Sequence, residues 1–105
     1  MATQARRIEL HEELCKVLGS RNVYFSPPES IKLKFPCIVY HLSVGRSFNA
    51  NNKPYMITDS YDVQVIDADP DSQIPDKLMN GFDMIRKDRV FTQDNLLHSS
   101  FVLYY

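Results

Sequence analysis

Tyr61-Asp62-Val63-Gln64-Val65-Ile66-Asp67-Ala68-Asp69-Pro70-Asp71-Ser72 holds the transition that decides the fold. Tyr61, Val63 and Val65 alternate with Asp62, Gln64 and Ile66, the period of a strand with one face buried. The strand reading extends over residues 55–68, with residues 55–60 as a separable piece joined by a bulge. The run from Asp67 to Asp71 ends it. Asp71 or Ser72 can cap a following helix, and Pro75 is tolerated in a first helical turn. Leu78, Phe82 and Ile85 then repeat at i, i+4 and i+7, which predicts an amphipathic helix. Gly81 weakens that helix by about 1 kcal/mol relative to Ala, so a short helix is expected.

Upstream, Leu10, Leu14, Val17 and Leu18 share one helical face, predicting a helix over residues 6–18 with Gly19 placed to end it. Val23-Tyr24-Phe25 reads as a short extended segment stopped by Pro27-Pro28. Phe35-Pro36 leads into a strand over residues 37–44 whose apolar centre predicts an interior strand covered on both faces. Residues 45–53 form a polar loop in which Asn51-Asn52 supports a turn. Downstream, Val90-Phe91 and then residues 97–105 read as strands. The ending Phe101-Val102-Leu103-Tyr104-Tyr105 is too apolar for a free tail and is expected in the sheet or in a subunit contact. The expected architecture is α+β: one domain over residues 1–105, with a small, mostly antiparallel sheet and two helices packed on one face. The helix-free face is left for a partner.

Composition narrows the function classes. Twelve basic residues against thirteen acidic ones give a net charge of −1, without the basic surplus of a dedicated nucleic-acid binder. That balance also argues against a polybasic membrane-surface protein, and no apolar run approaches the ~20 residues of a membrane helix. Residues 1–7 carry two arginines with no apolar stretch behind them, so no signal peptide and a cytoplasmic site of synthesis are expected. Cys15 and Cys37, the only cysteines, are expected as reduced thiols packing as small apolar groups.

Each near-motif for chemistry fails at a demanding position. His11-Glu12-Glu13-Leu14-Cys15 places residues 11 and 15 on one helical face, as a zinc pair requires, but it has no local third ligand. Residues 67–72 resemble the opening of a calcium loop, yet Ser72 stands where the loop needs Gly and Leu78 where it needs a bidentate Glu. Capping of the next helix is the preferred role for these carboxylates. Pro70-Asp71 could open a metal-dependent nuclease motif, but no Asp-x-Lys or Glu-x-Lys occurs. Glycines at 19, 45 and 81 build no phosphate loop. His41, within an apolar strand, reads as a satisfied core or interface histidine. Phe48, among asparagines, is either folded back on the sheet or an aromatic docking anchor. No catalytic residue, metal ligand or cofactor is expected. A small metal-dependent hydrolase using the acidic turn is the rival from another class.

Four stretches carry a family resemblance: Phe-Pro-Cys-Ile-Val-Tyr at 35–40, Phe-Asn-Ala-Asn-Asn-Lys-Pro-Tyr at 48–55, Tyr-Asp-Val-Gln-Val-Ile-Asp-Ala-Asp-Pro-Asp-Ser at 61–72, and the ending from Asp94-Asn95-Leu96 to Tyr105. With the leading helix they cover most of the chain in matching order. The chain resembles the small tail-terminator, or tail-completion, proteins of long-tailed bacteriophages, also described as minor capsid or head–tail joining proteins. The resemblance implies a non-enzymatic virion protein, a subunit of a hexameric ring at the neck. That ring caps the tail tube, joins the tail to the head connector and lets DNA pass unread. Phe48, Asn51, Asn52 and Lys53 would form a docking loop. Asp67, Asp69 and Asp71 would form a second contact surface, and Tyr104 and Tyr105 would help shape the ring. A head-completion or stopper protein on the head side is the alternative within the same assembly.

Overall fold

The computed structural model describes residues 4–47 and 59–105. Helix α1 spans Gln4–Leu18, strand β1 Val23–Phe25, β2 Cys37–Ser47, β3 Asp59–Asp67, helix α2 Ile74–Gly81, β4 Ile85–Gln93 and β5 Leu96–Tyr104. The strands form one sheet in the order β1-β2-β3-β5-β4, antiparallel except for β1, which runs parallel to β2. Both helices pack on one face, so the architecture is the expected α+β one. The parallel edge departs from the antiparallel tendency of short connections. Eleven residues separate β1 from β2, enough to carry the chain back to the same end of the sheet.

The core follows from two periodicities meeting. Tyr40 on β2, Val63 on β3 and Phe101 on β5 stand in one cross-strand row, with Ile38 and Val65 in the next row. All are buried and pack against Leu10 and Leu14 of α1 and Leu78 of α2. Fully burying each such side chain contributes about 1.5–3 kcal/mol. Gly19 ends α1 at φ +83°, with its N–H donating to the Cys15 carbonyl at 2.8 Å. Gly81 faces α1, where a Cβ would just touch Val17 Cγ2 at 3.4 Å.

Three expectations are corrected. The helical repeat through Phe82 and Ile85 stops at Gly81, Phe82 is extended at φ −136° and ψ 146°, and Ile85 opens a nine-residue strand. Ile85 is placed by the sheet, opposite Leu103, so its helical spacing from Leu78 is coincidental. The first residue of α2 is preceded by Gln73 rather than Asp71 or Ser72. The Ser72 hydroxyl accepts the Ile74 N–H at 3.3 Å. Strand β2 is interior to the sheet, but it is not covered on both faces: Val39 is half-buried and His41 exposed.

Candidate functional site

The helix-free face is built by the side chains that alternate with the core. Sheet register aligns them in rows: His41, Asp62, Val102 and Arg86; then Val39, Gln64, Ser100 and Arg89; then Cys37, Ile66, His98 and Phe91. The third row is apolar. Cys37 and Ile66 are buried there, and the His98 ring lies flat on Phe91, with centroids 4.8 Å apart and planes within 5°. His98 Nδ1 is buried without a hydrogen-bond partner among the described residues. The first two rows are polar. His41 Nε2 lies 3.3 Å from Asp62 Oδ2, with both side chains about half exposed, so of the two expected alternatives, core or interface, the core one is ruled out. A depression of about 280 Å³ runs from His41, Asp62 and Gln64 to Asp88, Arg89 and Ser100.

Strand β4 bounds this face as an edge strand whose only neighbour among the described residues is β5. Its register shifts between Lys87 and Arg89. Arg86, Lys87, Asp88 and Arg89 are all exposed, and Arg89 reaches over the Phe91 ring at 5.8 Å. Sequence reasoning assigned only Val90-Phe91 to a strand here. A signal was present: Asp94-Asn95, which turns β4 into β5 with φ of 54° and 62°. Two successive positive φ values define the tight hairpin turn that Asn and Asp tolerate.

The acidic turn lies at the end of β3 and is organised by its own carboxylates. The Asp69 N–H donates to Asp67 Oδ1 at 3.0 Å and the Asp71 N–H to Asp69 Oδ1 at 2.9 Å. Asp69 and Asp71 are exposed and Asp67 is half-buried. These carboxylates thus satisfy backbone donors within the turn itself and do not cap α2 as expected, since Gln73 precedes that helix with no side-chain cap hydrogen bond. Among the described residues, no cluster of three or more His, Cys, Asp or Glu side chains is placed to hold a metal ion.

Tyr104 and Tyr105 lie beside the α2–β4 connection. The Tyr104 N–H donates to the Met84 carbonyl at 2.9 Å. The Tyr105 hydroxyl donates to Glu9 Oε1 at 3.0 Å, its ring carries the Arg6 guanidinium at 4.7 Å, and Phe82 meets it edge-on. Burial, then the bond to Glu9, raises the Tyr105 pKa. These contacts fasten the last residue to α1 and give Tyr105 an internal role. Phe48, Asn51, Asn52 and Lys53 lie outside the described residues.

His11 and Cys15 do not converge on a common centre. His11 Nδ1 and the Tyr40 hydroxyl share a hydrogen bond of 2.8 Å, while Cys15 is buried in the helix–sheet core. Burial, joined by the charges of Arg21 and Arg7, holds His11 below the usual imidazole range. Both cysteines are free and buried; burial, assisted by Asp67, pushes the Cys37 thiol up to about 11. These are inert thiols.

The described surface combines a half-polar sheet face, a charged edge and an acidic turn. Comparison with protein-family models, with curated proteins and with solved structures finds no match to this chain. No helix of the described residues is long and apolar enough to cross a membrane.

Proposed function

We propose that the chain is a structural virion protein: a ring subunit that caps a phage tail tube and joins the tail to the head connector. The observation that carries the reading is the one-sided packing of the sheet. Two helices bury one face, while the other presents two polar rows and one apolar row beside a nine-residue edge strand. Such a surface suits a subunit that completes its burial by assembling with neighbours. The four resembling stretches support the choice of assembly, since two of them run through β3, the acidic turn and β5. The subunit works by contact, without a catalytic residue, metal or cofactor, and DNA passes through the ring without being read. Its place is the tail-to-head neck of the virion, after synthesis in the host cytoplasm.

Mass measurement in solution, followed by imaging, tests this. A closed ring that binds finished tails supports the proposal, and tails of uncontrolled length in the chain's absence support it further. A protein that stays monomeric and joins neither tails nor heads refutes it. A ring that joins DNA-filled heads and ignores tails replaces the tail terminator with a head-completion or stopper protein.

A further inference from the structure

Strand β4 and the β3–α2 turn carry opposite charges that form no ion pair among the described residues. On β4, Arg86, Lys87 and Arg89 stand exposed against the single carboxylate of Asp88. Among the described residues, no ion pair ties these three cations to an acidic side chain. At the far end of β3 the turn gathers three carboxylates: Asp69 and Asp71 are exposed and Asp67 is half-buried, with Asp67 and Asp69 each using one oxygen to accept a backbone N–H of the turn. The two patches cannot meet in one molecule. Arg89 pairs through Ser100 with Gln64, three residues before Asp67, and β4 lies two strands from β3. The offset is about 10 Å along the strands and about 10 Å across them. At that range exposed charges are largely screened at physiological salt.

The edge also states what it does not take. A register shift and three exposed cations are devices that discourage addition of another strand. Asp69-Pro70-Asp71 cannot add as one either, because Pro70 lacks a donor and the neighbouring amides are satisfied by carboxylates. A compact acidic turn set against a blunted basic edge makes a charge-led contact instead.

We propose that the β4 edge of one copy receives the Asp67–Asp71 turn of the next, head to tail. Every copy carries one patch of each sign, so the contact is heterologous and can close into a ring. The inference rests on the ring reading above and assigns its subunit contact.

The test uses the full chain, sized by sedimentation velocity and light scattering. One variant reverses the edge: Arg86→Glu, Lys87→Glu and Arg89→Glu. The other reverses the turn with Asp69→Lys and Asp71→Lys, with circular dichroism confirming that each is folded. Wild type is expected to assemble in about 0.05 M NaCl and to dissociate in about 0.5 M, where the screening length falls to roughly 4 Å. Each variant alone is expected to assemble about tenfold or more weakly than wild type, like charges now facing each other. Mixed in equal amounts the two variants should assemble together, because the acidic edge of one meets the basic turn of the other. Should the turn variant be unfolded, the edge variant and the salt series decide. Assembly that ignores both the reversed edge and the salt overturns this contact while leaving the ring reading standing. Wild type that is monomeric under all conditions and joins no tail overturns both.

Discussion

Replacing Tyr40 with Phe tests whether the core reaches out to a titrating group. Tyr40 is fully buried, sits 5.0 Å from Phe25 and 6.0 Å from Tyr61 by ring centroid, and bonds His11 at 2.8 Å. Tyr40→Phe keeps the ring and removes the hydroxyl, with its bond to His11 and its interaction with the Arg7 side chain. A typical net loss is about 0.5–1.5 kcal/mol, and water can reach half-buried His11, so about 1 kcal/mol is expected. With a urea slope of about 2 kcal/mol per molar, the unfolding midpoint falls by about 0.5 M at pH 7.5. Tyr40→Ala removes the ring as well and should cost about 3–5 kcal/mol, or roughly 1.5–2.5 M in midpoint. Urea melts followed by circular dichroism measure both. Because burial holds the His11 pKa in the folded chain below the ordinary imidazole value of 6.5, the unfolded chain binds its proton more readily. Its contribution is therefore complete above about pH 6.5 and is lost as the pH falls below that value. His11→Gln should flatten the wild-type loss of stability below pH 6.5. A Tyr40→Phe midpoint equal to wild type, or as low as that of Tyr40→Ala, would refute the assignment of the bond's energy.

Phe101→Ala, at a buried site opposite Val63, should destabilise by about 3–5 kcal/mol, read as a lower thermal midpoint. A midpoint within a degree of wild type would remove Phe101 from the core. Gly19→Ala meets no atom within 4 Å, so its cost of about 1 kcal/mol comes from the φ of +83° alone. Gly19→Asn, which tolerates that conformation, should recover part of it in the same melt. Cys37, with its thiol pushed up to about 11 by burial, should resist a thiol reagent at pH 8 in the folded chain and react once urea unfolds it. Rapid reaction in the folded chain would contradict its burial.

Much of the fold was legible because local and tertiary preferences agree. Leu10 and Leu14 lie on one helical face whatever they pack against, Gly19 suits a helix end, and the alternation of Tyr61, Val63 and Val65 puts all three on the side that the helices cover. The second helix failed at Ile85 because spacing at i, i+4 and i+7 is satisfied by chance when a helix ends and a strand begins within the window. His41 failed for a related reason. Apolar neighbours in sequence suggested burial, but its face of the sheet has no helix over it.

Composition and periodicity alone determined that the chain is a small α+β unit with its helices on one side, since those features depend on which residues repeat at which period. They also exposed the missing ligands and lysine in each near-motif. Tertiary structure decided what lies side by side: the parallel β1 edge, the row from His41 through Asp62 to Arg86, the tie between Tyr105 and α1, and a charged β4 paired on one side with β5 and, among the described residues, unpaired on the other. Each depends on strand order and register. Sequence periodicity specifies which face a residue takes but not which strand lies beside it.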